Sequence, residues 1–206
     1  MTVLLLVRHG VTKANEIGTW QGWDDTVLTP LGHQQALAVA RRIAGEFSPQ
    51  VVYTSSLLRA RQTAEPIAQV ARCRLIPHDG LREINFGEVS GLTVGQFREK
   101  FVGIFEAWAD KRDVDFVWPG GESRRAFFTR VWRAMDEIVK AHPSGEVVIV
   151  GHGGSLRAAL SYLLPREFTN WWTYELHNAS LSVVEITKAG PALKLLDDCA
   201  HLDGVE

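Results

Sequence analysis

The chain has 206 residues, 46% of them hydrophobic and 22% charged, and its 22 Lys and Arg against 24 Asp and Glu leave a formal net charge of −2. These proportions exclude a disordered, collagen-like or disulfide-stapled chain, and a length of this order buries roughly 70% of the surface that the unfolded form exposes, enough for a substantial core. The balanced charge offers no basic footprint for nucleic acid and no polybasic segment for a membrane surface, and the apolar run at the start is too short to span a bilayer. A cytoplasmic protein with a small-molecule partner is therefore expected. Only two cysteines occur, Cys73 and Cys199, with neither CxxC spacing nor a companion His/Cys cluster, so neither a redox nor a zinc site is expected.

Val3 to Val7 is an unbroken aliphatic run that ends at Arg8-His9-Gly10, the pattern of a central strand buried on both faces. After a loop rich in Gly, Trp and Asp, Thr29 as N-cap and Pro30 at the first helical position open a helix with apolar positions Leu37, Ala40, Ile43, Ala44 and Phe47, stopping near Pro49. Val51 to Tyr53 predicts a short strand, and Ser55 or Ser56 caps a helix through Leu58, Ala60, Ala64 and Ile67. Cys73 to Ile76 supplies a third strand, Gly80 to Gly91 reads as an irregular loop, and Thr93 with Gln96 fits a capping box. Phe97, Phe101, Phe105 and Trp108 then recur at helical spacing, a stripe that reads as packing rather than a cofactor box.

Trp118 to Ser123 breaks that pattern and opens a helix with Phe127, Val131, Ala134, Met135 and Ile138 on one face. Residues from about 93 to 123 thus form a helical excursion from the sheet. Val147 to Val150 repeats the design of the first strand and ends at Gly151-His152-Gly153-Gly154 before another helix. Ser180 to Ile186 and Leu193 to Leu196 add strands, antiparallel at an edge. With no repeat and no linker, the expectation is an α/β fold in one domain over residues 1–206: three α/β/α layers, a mostly parallel central sheet and the helical excursion over the active site.

In such sheets ligands sit beyond the carboxyl ends of the strands. His9 and His152 each end a buried strand, so both open onto one edge, where loop N–H groups collect an anion. No GxSxG elbow or Walker loop is present. A neutral imidazole attacks phosphorus when its other ring nitrogen donates a hydrogen bond, which makes His9 the candidate nucleophile. The charge on a transferred phosphoryl group needs fixed donors, supplied without a metal by Arg8, Arg59 in the first turn after Ser55-Ser56, and His152. A partly buried carboxylate must protonate the leaving alkoxide, and Glu83 in its glycine-flanked loop is the candidate. His33, His78, His142 and His201 read as surface or loop residues, while His177 stays unassigned. Arg41-Arg42 and Arg124-Arg125 read as solvated helix faces, with Arg124 the one of these that can approach a substrate. Arg61 reads as structural, and Asp24 and Asp25 as cap or turn residues rather than metal ligands.

Several stretches together resemble the histidine phosphatase superfamily, also called phosphoglycerate mutase-like. They are Leu6 to Asn15, Gln21 to Asp24 with Leu28 to Gly32, Tyr53 to Ala64, Leu81 to Gly91, Pro119 to Ser123 and Gly151 to Arg157, in that order. The resemblance implies a phosphohistidine on His9, a phosphate pocket of Arg8, Arg59 and His152, and Glu83 as proton donor. It further implies that Thr12, Asn15, Gln21, Gly22 and the amide of Gly153 line the phosphate, and that no cofactor or metal is needed. Val11 stands where the family commonly has Glu. Leu81 to Gly87 and Pro119 to Ser123 are similar to bacterial phosphatases of the family, including those acting on α-ribazole 5′-phosphate. With the aromatic excursion as an apolar rim, this implies a phosphomonoester hydrolase for a bulky organic phosphate. A cofactor-dependent phosphoglycerate mutase and a non-catalytic phospho-ligand-binding relative are the alternatives. A homodimer is left open by Trp171 and Trp172, which mark either an interface or a core.

Overall fold

A computed structural model describes residues 1–164 and 171–205. In its first strand, β1 (Thr2–Arg8), alternate side chains enter two different cores. Leu4 and Leu6 join one, and Val3, Leu5 and Val7 the other, because successive residues of a strand point to opposite faces. The second core is closed by α2 (Pro30–Glu46) and α3 (Leu58–Ala71), with the short α1 (Lys13–Ile17) in the loop before them. The first core is closed by α6 (Arg124–Ala141) and α7 (Gly153–Leu163), together with the excursion. Helices thus cover both faces of the sheet, in the three layers expected.

The remaining strands are β2 (Val51–Thr54), β3 (Arg74–Pro77), β4 (Gly145–Gly151), β5 (Leu181–Thr187) and β6 (Gly190–Asp198). The six lie in the order β3-β2-β4-β1-β5-β6, the first four mutually parallel and β5 and β6 antiparallel at the far edge. β1 runs beside β4 in a register that sets Leu4 against Val147 and Arg8 against Gly151. The two strands that end in histidine are therefore immediate neighbours.

Thr29 caps α2 as expected, accepting from the Gly32 N–H, and Pro30 occupies its first turn. The buried stripe is Ala36, Val39, Ala40 and Ile43, while Leu37 is 46% exposed and Ala44 faces water. Small residues win the inner face here because α2 packs on the equally small Ala60, Ala64 and Ala68 of α3. Neither Ser55 nor Ser56 caps α3. The cap comes from the side chain of Asp25, which accepts from the Leu58 N–H at 2.6 Å across 33 residues of sequence. Ser55 turns toward His152, and Ser56 bonds Asp79 and Arg82. The Gly80 to Gly91 loop holds two single-turn 3-10 helices, Asp79–Leu81 and Gly87–Val89.

The capping box of Thr93 and Gln96 is formed, but the excursion contains two helices, α4 (Val94–Lys100) and α5 (Val102–Ala109), divided at Phe101 with φ −132° and ψ 54°. The break does not scatter the aromatic stripe. Phe97 is fully buried, its ring 5.4 Å from Phe105, 5.9 Å from Trp108 and 5.6 Å from Trp118. Arg124 departs from the solvated-face reading, being only 2% exposed. Its guanidinium donates to the carbonyls of Trp108, Asp110 and Asp113 and stands over the Phe116 ring at 4.8 Å, so it ties the end of α5 to the start of α6. Trp171 belongs to the core, packed on Phe128 at 5.5 Å. Among the described residues no helix is long and apolar enough to cross a membrane.

Candidate active site

One step beyond β1, the His9 N–H donates to the Gly151 carbonyl at 3.0 Å, extending the parallel ladder past the strand end. His9 and His152 are thereby fixed side by side, ring centroids 5.1 Å apart, and both are buried. Nδ1 of His9 lies 2.7 Å from the Gly10 carbonyl, which can only accept, so Nδ1 carries the proton. Burial above all, with the fields of Arg59 and Arg8, holds the His9 pKa well below the usual 6.5 against the opposing Gly10 bond. The ring is neutral and Nε2 keeps its lone pair.

His152 is neutral for the same reasons: burial first, then Arg59, His9, Arg8 and Arg130. Its Nε2 lies 2.8 Å from the Ser55 hydroxyl, whose oxygen already accepts from the Leu57 N–H at 3.3 Å. With the Ser55 hydroxyl as donor to Nε2, Nδ1 is the nitrogen that bears the ring hydrogen. Ser55 was missed as a site residue because its local pattern is that of a helix cap. The usable signal is its place directly after β2, a parallel neighbour of β4, with its N–H on the Val150 carbonyl.

Arg8 and Arg59 flank the pair. Arg8 donates to the Leu176 carbonyl at 2.6 Å, and Arg59, 1% exposed, donates to the carbonyls of Asp24 and Gly22 at 2.8 Å each. Gly22 sits at φ +50°, a left-handed conformation that glycine adopts without strain. Burial lowers both guanidinium pKa values, that of Arg59 to about 10, with Glu83 pulling the other way in each case. Three buried nitrogens around His9 have no hydrogen-bond partner among the described residues: Nε of Arg8, Nε of Arg59 and Nδ1 of His152. Buried donors are normally matched, so oxygens from a bound anion are the natural complement.

Glu83 completes the group. Its carboxylate accepts from the Gly154 N–H and the Ile84 N–H, both at 2.9 Å, at the start of α7. A Cβ at Gly154 would stand 2.1 Å from Oε1 of Glu83, so only glycine lets the carboxylate reach that amide. The Glu83 carbonyl accepts from the Trp23 indole at 2.8 Å and from Arg130 at 3.1 Å. Arg130 also donates to the carbonyls of Gly80 and Arg82 and pairs with Glu122, whose carboxylate accepts from the Asn85 N–H. This clamp around the Glu83 loop was not legible in the sequence.

Arg8, His9, Arg59 and Glu83 open into one cavity of about 330 Å³. Asn15, Gln21, Gly22 and Gly153 line it as well. Thr12 stands behind that wall, fully buried, capping α1 with its hydroxyl 2.9 Å from both Asn15 Oδ1 and Gln21 Oε1. Trp108 and Trp118 of the excursion line it too, as the reading of an apolar rim implied, and with them come residues that motif reading did not place here: Trp20, Lys111 and Arg157. Cys199 gains in space the companions it lacks in sequence, its sulfur lying within 4.8 Å of ligand atoms of His177 and Asp197, which bond each other.

The family model described as "Histidine phosphatase superfamily (branch 1)" matches residues 4–199. Phosphoserine phosphatase 1 of Hydrogenobacter thermophilus is 32% identical over 98% of this chain and 95% of its own. The metal-independent phosphoserine phosphatase of Arabidopsis thaliana is 34% identical over 100% of this chain and 85% of its own. A 2,3-bisphosphoglycerate-dependent phosphoglycerate mutase of Brucella anthropi is 37% identical over 80% of this chain and 84% of its own. Among solved structures, Bacillus stearothermophilus YhfR superposes with a TM-score of 0.88 at 27% identity, covering 98% of this chain and 100% of that one. The α-ribazole phosphatase of Shigella flexneri gives 0.86 at 24% identity over 95% and 96% of the two chains, a likeness of fold.

Proposed function

We propose, from the premise that this chain belongs to the histidine phosphatase superfamily and is a phosphatase of that type, that it hydrolyses small organic phosphate monoesters without a metal ion through a phosphohistidine on His9. The observation that carries the mechanism is the state of His9: neutral, with Nδ1–H on the Gly10 carbonyl and Nε2 free, between two buried guanidinium groups. Nε2 attacks phosphorus as the P–O bond to the organic group breaks, and Arg8, Arg59 and the His152 Nδ1–H hold the phosphoryl oxygens. Glu83, entering the reaction in its protonated form, delivers that proton to the departing oxygen. It then takes a proton from water, the resulting hydroxide attacks phosphorus, and the P–N bond breaks to release phosphate and regenerate His9. Asn15, Gln21, Gly22 and the Gly153 amide frame the phosphate, and Thr12 acts on it through Asn15 and Gln21.

The aromatic wall of Trp20, Trp108 and Trp118 suits an organic group beyond the phosphate. Two relatives that match nearly the whole chain bear the name phosphoserine phosphatase, which sets phosphoserine beside α-ribazole 5′-phosphate as the esters to try first. The test is phosphate release in excess chelator from those two, a nitrophenyl ester, sugar phosphates and 3-phosphoglycerate, with the last also followed for isomerisation under a bisphosphate primer. Release, together with an acid-labile, alkali-stable phosphoenzyme that His9→Ala abolishes while remaining folded, is the expected result. Isomerisation without release would replace the phosphatase by a short mutase, and undiminished turnover in His9→Ala would remove the phosphohistidine.

A further inference from the structure

The cavity holds more positive charge than one phosphate uses. A phosphoryl group beside His9 is met by Arg8 and Arg59, which leaves Lys111 and Arg157 among the lining residues, Arg157 near enough to Arg8 for its charge to lower that pKa. Lys111 follows α5 and Arg157 lies on α7, so two separate elements each bring a cation to the lining of this cavity. The Lys111 ammonium stands 2.9 Å from the centroid of the Trp108 ring and donates to the Trp108 carbonyl at 3.2 Å. An ammonium has three N–H bonds, and among the described residues no carboxylate meets it. Burial, helped by the charge of Arg124, pushes its pKa down to about 7, so the ammonium is held where an anion opposite it would stabilise it. Arg157 spends only Nε, on the Tyr174 carbonyl at 2.6 Å, and its planar fork of terminal nitrogens has no acceptor among the described residues.

We infer that Lys111, with Arg157, forms a second anion subsite, and that the preferred substrate is a small phosphate monoester carrying a carboxylate a few bonds from its phosphate. The inference rests on the phosphatase reading above. Each added charge has one counterpart: the phosphate dianion between Arg8 and Arg59, and the carboxylate at Lys111, with the carbon skeleton against Trp108 and Trp118. The position of Lys111 depends on Arg124, which holds the carbonyls of Trp108, Asp110 and Asp113 around it.

The experiment measures kcat/KM for ester pairs that differ at one carbon, 3-phosphoglycerate against glycerol 3-phosphate and phosphoserine against phosphoethanolamine, with nitrophenyl phosphate as control. Wild type is expected to favour the carboxylate member about 10- to 100-fold, the worth of one charge-assisted bond. Lys111→Met, which keeps the aliphatic stem on Trp108, is expected to bring that ratio close to one, mostly through KM, and Lys111→Arg to restore most of it. If Lys111→Met does not fold, Lys111→Gln gives the same readout. A wild-type ratio near one, or a Lys111→Met protein that keeps the wild-type ratio, overturns the subsite. Failure of wild type on every ester, nitrophenyl phosphate included, overturns the phosphatase reading and the subsite with it.

Discussion

His9 is prepared by three neighbours acting on one ring: the Gly10 carbonyl fixes the tautomer, burial removes water, and Arg8 with Arg59 keeps a second proton away. Glu83 is prepared differently, by two backbone N–H groups and a glycine that makes room for it. Glu83→Gln keeps the size of the side chain and one of its two backbone bonds, the amide oxygen still accepting from Gly154, but cannot supply a proton. With an alkyl phosphate, whose leaving oxygen needs the proton, kcat is expected to fall about 10²- to 10⁴-fold. With nitrophenyl phosphate, which leaves as a stable anion, the fall is expected to be no more than about tenfold. Steady-state rates on both esters check this, and equal losses would move the acid role to another group.

Elements deliver these residues by ending where they do. β1 and β4 stop at one edge in parallel register, and β2 brings Ser55 to the same edge through its pairing with β4. The Glu83 loop has no such ladder and is held from α6 by Arg130, which reaches the carbonyls of Gly80, Arg82 and Glu83 while pairing with Glu122. Arg130 is a positioning residue, so Arg130→Met is expected to reproduce the leaving-group signature of Glu83→Gln in weaker form. Breaking a largely buried pair costs on the order of 3 kcal/mol, visible as a lower urea midpoint. The decisive readout is kcat: a loss of about tenfold on alkyl esters and little on nitrophenyl phosphate supports positioning. A stability loss with unchanged leaving-group dependence makes Arg130 purely structural.

At the scale of the whole molecule, the site makes folding depend on pH. His9 and His152 are both buried and neutral, with pKa values well below the usual 6.5 of an unfolded chain. Below about pH 6.5 the unfolded chain binds two protons that the folded chain refuses, so stability is full above that pH and declines as the pH falls. The slope approaches about 1.4 kcal/mol per pH unit for each histidine. Urea midpoints at pH 7.5, 6.0 and 5.0 measure it. His152→Asn is expected to remove about half the decline, and a wild-type midpoint flat over this range would mean that the imidazoles accept protons in the folded state.

Much of this was legible in the chain by itself, and the reason is locality. A strand buried on both faces must be apolar throughout, so β1 and β4 announce themselves in Val3 to Val7 and Val147 to Val150. Caps act over three residues, so Thr29 and Thr93 are readable. Sheets of this class put their strand ends at one edge, so His9, His152 and Arg59 could be brought together on paper. What lay beyond reach was every contact whose partners are distant in sequence and ordinary in type. Which helix Asp25 caps, Ser55 beneath His152, Arg130 around the Glu83 loop and Lys111 against Trp108 each involve common residues without a local signature. Periodicity and motif act along the chain and name the elements and the reactive groups. Packing joins segments dozens of residues apart, and only that three-dimensional step decides which tautomer, which clamp and which second charge the reactive groups receive.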